Sequence, residues 1–164
     1  MYPLIYLSLG SNLEDRKANL EVALDQLKTK DSAIQKQSSF YETEPVEWLN
    51  QPYFLNLTCQ IKSRLNPQEL LKLCQKIERQ MGRIRQQPKG PRSIDIDILF
   101  YGQLVIQSPI LKIPHPALHQ RNFVLTPLEE IAPNFNDPTT GKSIHQLRFE
   151  CVDKSSVVVW NDNI

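Results

Sequence analysis

The 164 residues hold few cysteines, no long apolar run and no excess of charge of either sign. The opening stretch Met1-Tyr2-Pro3-Leu4-Ile5-Tyr6-Leu7-Ser8-Leu9 has no basic lead and is too short for a signal peptide or a membrane span. Cys59, Cys74 and Cys151 are widely spaced, with no Cys-x-x-Cys. That argues against a thiolate zinc site, and the odd count points to a reducing compartment. A cytoplasmic protein is expected. With a net charge of +1, nothing global points to a nucleic-acid or membrane partner. The apolar fraction of 40% is ordinary for a soluble chain, and one domain over residues 1–164 is expected.

Motifs of nucleotide binding and covalent catalysis are missing too. No Gly-x-x-x-x-Gly-Lys-Ser/Thr or Gly-x-Gly-x-x-Gly is present, so a bound nucleotide would use neither a P-loop nor a Rossmann turn. His-Glu-x-x-His and Gly-x-Ser-x-Gly are also lacking. Chemistry would rest on metal, arginines and positioning, which is what phosphoryl transfer needs.

What is present centres on Arg92-Ser93-Ile94-Asp95-Ile96-Asp97-Ile98-Leu99-Phe100. Ile94, Ile96, Ile98 and Phe100 alternate with Ser93, Asp95, Asp97 and Leu99, the period of a half-buried strand. Asp95 and Asp97 therefore project from one face, where they can converge on hard cations such as Mg²⁺. An acidic pair on an ordinary solvated sheet face is the alternative. The preceding segment weighs against it. From Arg79 through Arg83, Arg85 and Lys89 to Arg92 run five cations and no acid, and Gly82, Pro88, Gly90 and Pro91 make it a loop. Guanidinium groups grip phosphate oxygens with fork geometry at any biological pH. A small polyanionic ligand suits so local a charge.

Periodicity places the other elements. Leu4–Leu9 predicts a strand, and Leu20, Ala23, Leu24 and Leu27 predict an amphipathic helix from about Asp15 to Lys28. A second strand is expected over Ile34–Thr43 and a third over Phe54–Ile61. Asn66-Pro67 reads as an N-cap and first helical turn, with Leu70, Leu71, Cys74, Ile77 and Met81 on the buried face and a stop at Gly82. Beyond the Asp-x-Asp strand, Tyr101-Gly102-Gln103 predicts a hairpin with Leu104–Ile106. Short helical pieces follow near Ala117–Gln120 and Pro127–Ile131, then a loop over 134–142 and a late strand at 157–160. The order β-α-β-β-α-β predicts an α+β, ferredoxin-like fold: an antiparallel sheet with helices on one face, the other free for a site, and added C-terminal hairpin and helical elements.

Several separated blocks, in order, resemble the hydroxymethyl-dihydropterin pyrophosphokinases of folate biosynthesis. They are Leu9-Gly10-Ser11-Asn12, Tyr41-Glu42-Thr43-Glu44-Pro45-Val46, Gln51-Pro52-Tyr53-Phe54-Leu55-Asn56, Glu78 to Arg83, Gly90 to Asp97, Pro114-His115-Pro116 and Arg121-Asn122-Phe123-Val124-Leu125. The resemblance runs from about Ser8 to Pro133. It implies transfer of the β,γ-pyrophosphoryl group of ATP to the hydroxymethyl oxygen of a reduced pterin, with release of AMP. Asp95 and Asp97 would hold two Mg²⁺ ions, and Asp95 could also orient the attacking hydroxyl. Arg83 and Arg92 match the phosphate-gripping arginines, and Arg85 lies in the loop over ATP. Gln75, Glu78, Ile98, His115 and Arg121 fall where the family contacts the nucleotide. Phe54 and Phe123 would stack on the pterin, Asn56 would bond its polar edge, and backbone groups from Thr43 to Val46 would complete the pocket.

Each assignment has a plainer counterpart: core aromatics for Phe54 and Phe123, a solvent-face residue for Asn56, a solvated helix face for Glu78. His119 and His145 read as ordinary surface residues. Lys89, Pro88 and Glu47 stand where some family members have a tryptophan, an arginine and a glycine. Two other readings remain open, a metal-dependent nuclease and an RNA-binding ferredoxin-like module. The expected partners are small molecules, with no nucleic acid or membrane, and the expected state is a monomer.

Overall fold

The computed structural model describes residues 2–46, 48–82 and 91–162. Among the described residues, eight strands and four α-helices follow in chain order: β1 (Ile5–Ser11), α1 (Arg16–Leu27), β2 (Ser32–Gln37), β3 (Tyr41–Thr43), β4 (Phe54–Ser63), α2 (Pro67–Gln80), β5 (Asp95–Tyr101), β6 (Ile106–Gln107), β7 (Lys112–Ile113), α3 (Asn122–Ile131), α4 (Ile144–Glu150) and β8 (Val157–Val159). A 3-10 turn, Leu118–Gln120, precedes α3. The main sheet runs β5-β1-β4-β3-β8, with β2 paired to the far half of β4. Every pairing is antiparallel. The fold is α+β and ferredoxin-like.

Alternation sorts the sheet into two faces. Ile5, Leu7, Leu9, Leu55, Leu57, Cys59, Ile61, Ile96 and Ile98 pack with Leu20, Ala23, Leu24 and Leu27 of α1 and Leu70, Cys74 and Ile77 of α2 in one core. Both helices have local start signals. Asp15 caps α1 by accepting the Ala18 N–H at 3.1 Å. Asn66 and Glu69 form a reciprocal capping box on α2, with Pro67 in its first turn, an arrangement contributing about 1 kcal/mol. Arg79 belongs to the last turn of α2 rather than to the basic loop.

The opposite face is not fully open, as the sequence had suggested. Tyr6, Leu99 and Phe100 are covered by Val124, Leu125 and Leu128 of α3 and Ile144 and Leu147 of α4, which form a second core. The polar end of this face carries Ser8, Gly10, Asn56, Thr58, Asp95 and Asp97, of which the two aspartates are partly exposed and Ser8, Asn56 and Thr58 are buried. The long second strand is broken into β2 and β3 because Ser38 turns its Oγ to accept the Thr58 N–H at 2.9 Å. Residues 104–106 do not return along β5. β6 pairs with β7 instead, while Leu104 closes a turn on the Tyr101 carbonyl.

All three cysteines are free and buried. Burial pushes the Cys59 thiol up to about 12, so it is an inert core group. His119 and His145 are engaged rather than idle: they bond Asp137 at 2.7 Å and Glu129 at 2.9 Å.

Candidate active site

Sheet register builds the polar end in two rows. Asn56 on β4, Gly10 on β1 and Asp95 on β5 lie side by side, and Thr58, Ser8 and Asp97 form the next row. Laterally paired residues share a face, and two strand spacings put the Asn56 and Asp95 backbones about 10 Å apart. Asn56 is 4% exposed, so it is no solvent-face residue. Its Nδ2 donates to Thr43 Oγ1 at 2.5 Å, which locks the amide in place. Gly10 is what lets it sit there, because a β-carbon at Gly10 would collide with Asn56 Oδ1.

Above this row opens a cleft of about 380 Å³, partly open to solvent, lined by Thr43, Val46, Trp48, Gln51, Phe54, Arg92, Arg121 and Phe123 among others. Phe54 from β4 and Phe123 from the first turn of α3 are only half-buried, so neither is a closed core aromatic. Each ring carries a guanidinium: Arg92 Cζ stands 5.2 Å from the Phe54 centroid and Arg121 Cζ 5.6 Å from that of Phe123. Arg121 and Phe123 arrive together at the start of α3, whose Asn122 N–H is capped from far along the chain by Asp153 Oδ2 at 3.0 Å.

A second cleft, about 610 Å³ and also open, is lined by Leu71, Asp97, Ile98, Leu111, Lys112 and His115 among others. Each member of the acidic pair is tied to one cleft, Asp95 through Arg92 and Asp97 directly. Asp95 Oδ2 is 3.4 Å from Arg92 Nε on the side of the first, and Asp97 lines the second. Arg92 Nε is buried and makes no hydrogen bond, its ion-pair contact with Asp95 being too poorly aligned for one, so the donor can still turn to an anionic oxygen.

His115 stands in the wall of the second cleft. Its Nδ1 accepts the Ala117 N–H at 3.2 Å, which assigns the ring proton to Nε2, 3.9 Å from Asp97 Oδ1. Burial pushes the imidazole down to about 4; the positive charge of Arg121 adds to the drop and Asp95 opposes it. The ring is therefore neutral at physiological pH.

Glu78 is not on a solvated helix face. It is 6% exposed, and its Oε2 accepts the Ile96 N–H at 3.1 Å, tying α2 to the strand that bears the aspartates. Gln75 is half-buried one turn before it, and neither is among the residues lining the second cleft. Arg83 and Arg85, with Glu47, Pro88 and Lys89, lie outside the described residues. The wall residues Trp48, Gln51, Leu111 and Lys112 carried no sequence signal of their own; only the block around Gln51 hinted at one.

Among the described residues no group of three His, Cys, Asp or Glu forms a protein-only metal cage. Two same-face carboxylates, partly exposed at 25% and 37%, fit Mg²⁺ nonetheless, because that ion is commonly held by one or two carboxylates with substrate phosphates filling other positions.

Comparison with known proteins bears on this geometry. A sequence model of the 7,8-dihydro-6-hydroxymethylpterin-pyrophosphokinase family matches residues 6–133. The 2-amino-4-hydroxy-6-hydroxymethyldihydropteridine pyrophosphokinase of Bacillus subtilis is 39% identical over 161 residues, covering 98% of this chain and 92% of that one. The folic acid synthesis protein fol1 of Schizosaccharomyces pombe is 44% identical over 150 residues, which are 91% of this chain but 20% of that protein. The chain thus spans about a fifth of the length of such longer relatives. Among solved structures, Plasmodium falciparum HPPK-DHPS with pteroate superposes with a TM-score of 0.75 at 20% identity, covering 91% of this chain and 42% of that one. At that identity the likeness carries the fold.

Proposed function

The chain belongs to the 7,8-dihydro-6-hydroxymethylpterin-pyrophosphokinase family, and on that premise we propose that it transfers the β,γ-pyrophosphoryl group of ATP to the hydroxymethyl oxygen of 6-hydroxymethyl-7,8-dihydropterin and releases AMP. The observation that carries the reading is that Asp95 pairs with Arg92, which lines the aromatic cleft, while Asp97 lines the second cleft with His115. A flat heterocycle fits the first cleft between Phe54 and Phe123, with the Asn56 amide held by Thr43 as the donor and acceptor for its polar edge. ATP fits the second, where Ile98 and Leu111 offer apolar surface and Lys112 a charge. The neutral His115 can donate from Nε2 to a phosphate or ribose oxygen.

The two substrates would then face each other over the acidic pair. Asp95 and Asp97 would hold two Mg²⁺ ions, which when bound neutralise phosphate charge and favour an in-line displacement. Asp95, in the same row as Asn56, is the carboxylate beside the pterin's hydroxymethyl arm and suits the role of orienting that hydroxyl. Arg92 would meet the charge that develops on the transferred group, using the buried Nε donor that stands beside Asp95. Arg121 bridges the rim between ring and phosphates. Arg83 and Arg85 are proposed as further phosphate ligands, and Gln75 and Glu78 as supports of the nucleotide side. Thr43 and Val46 complete the pterin wall.

We read residues 1–164 as one catalytic domain that works on small molecules alone, as a monomer and in the cytoplasm. Among the described residues no helix is long and apolar enough to cross a membrane. The relatives lend no support to the nuclease or RNA-binding readings. Incubation with ATP, Mg²⁺ and the hydroxymethyl pterin tests the proposal. Formation of the pterin diphosphate is expected; oligonucleotide cleavage without it would contradict the proposal.

A further inference from the structure

The turn that ends β1 carries a side chain with no part in the reading above. Asn12 is 2% exposed, and both ends of its amide are engaged. Its Oδ1 accepts the Arg92 N–H at 2.8 Å, while its own backbone N–H donates to the Arg92 carbonyl at 3.1 Å. Its Nδ2 donates to Gln51 Oε1 at 2.9 Å and to the Pro52 carbonyl at 3.0 Å. Gln51 extends the chain, its Nε2 donating to the Trp48 carbonyl at 2.7 Å. Amide groups thus run without a break from Arg92 to Trp48, both of which line the first cleft.

Asparagine suits this position chemically. Two donors and one acceptor are needed at the end of a short stem, and only a primary amide supplies both. A buried amide with every bond made is also rigid, because breaking any one strands a partner away from water. The Arg92 backbone is gripped on both its N–H and its carbonyl, so the guanidinium reaches out from a fixed point.

We propose that Asn12 is a positioning residue that joins the two sides of the cleft. It fixes the backbone from which Arg92 reaches the phosphates and, through Gln51, fixes the Trp48 segment that walls the aromatic slot. This rests on the pyrophosphokinase reading and adds to it a residue that acts through its neighbours. The two arms are separable. Asn12→Asp keeps the acceptor for the Arg92 N–H but turns an oxygen toward the Gln51 and Pro52 oxygens. Gln51→Ala cuts the Trp48 arm alone. Asn12→Ala removes both arms.

The test measures kcat and the pterin KM for all three variants. It adds acrylamide quenching of Trp48 in a Trp160→Phe background, which leaves Trp48 the only tryptophan. Asn12→Asp and Gln51→Ala should raise the pterin KM about tenfold with a smaller fall in kcat, and Asn12→Ala should lower kcat about tenfold as well. Trp48 should become more accessible to quencher in Asn12→Asp and Gln51→Ala with no substrate present. Lower melting temperatures with wild-type kinetic constants and wild-type quenching would overturn the proposal, as would a kcat loss in Asn12→Asp as large as in Asn12→Ala. Should Asn12→Ala fail to fold, the Asn12→Asp and Gln51→Ala kinetics with quenching still decide. Quenching needs no substrate. A wild-type chain that makes no pterin diphosphate would contradict the functional reading, and the Trp48 response to Asn12→Asp would then decide the relay by itself.

Discussion

Gly10 faces Asn56 across the β1–β4 ladder, and the space a β-carbon on Gly10 would take is filled by Asn56 Oδ1. The Asn56 amide is therefore seated on bare backbone. Gly10→Ala should push Asn56 off its bond to Thr43 and weaken pterin binding by about tenfold or more, since a displaced buried amide loses its hydrogen bonds. Pterin fluorescence titration measures this. Unchanged affinity in the folded variant would mean that Asn56 does not hold the ligand.

Asp97→Ala should abolish Mg²⁺-dependent turnover while the far-ultraviolet circular dichroism stays as in the parent, because Asp97 is partly exposed and packs in neither core. Turnover within about tenfold of the parent would rule out Asp97 as a required metal ligand.

Arg92 and Phe123 should part company kinetically. Arg92→Ala should lower kcat by roughly a hundredfold or more with a lesser change in pterin affinity, as expected for a donor that acts on transition-state charge. Phe123→Ala should do the reverse and chiefly weaken pterin binding, since its half-buried ring lines the cleft. Equal losses in both parameters for both variants would undo the division of roles.

His115 should titrate near 4 in the folded chain, against an unfolded value of about 6.5. Between those values the unfolded state binds more protons. Stability is therefore fully present above about pH 6.5, falls as pH drops through the window, and levels off below about 4. Two-dimensional NMR of the imidazole measures the titration. A midpoint near 6.5 would mean that the ring is solvated and the second cleft is wider than described.

Much of this was legible because periodicity is local. Leu20, Ala23, Leu24 and Leu27 announced α1, and Leu55, Leu57, Cys59 and Ile61 announced the buried face of β4, since each core position repeats at the period of its own element. The aspartates were legible for the same reason. What stayed hidden depends on distant partners. Helix α4 is seven residues long, leaves Phe149 83% exposed and gives too short a pattern to read. The break between β2 and β3 comes from Ser38 bonding to Thr58, twenty residues on. Glu78 looks like any helix-surface acid until Ile96 is folded against it. The hairpin after Tyr101 failed because β7, from the next turn of chain, is the partner that β6 finds.

The measurement that tests the central claim most directly is phosphorus NMR of the nucleotide product formed from ATP, Mg²⁺ and 6-hydroxymethyl-7,8-dihydropterin. Attack at the β-phosphorus over Asp95 and Asp97 predicts AMP and the pterin diphosphate in equal amounts. ADP with a pterin monophosphate would contradict it, because the hydroxymethyl oxygen would then be attacking the γ-phosphorus and the geometry assigned to the acidic pair would be wrong.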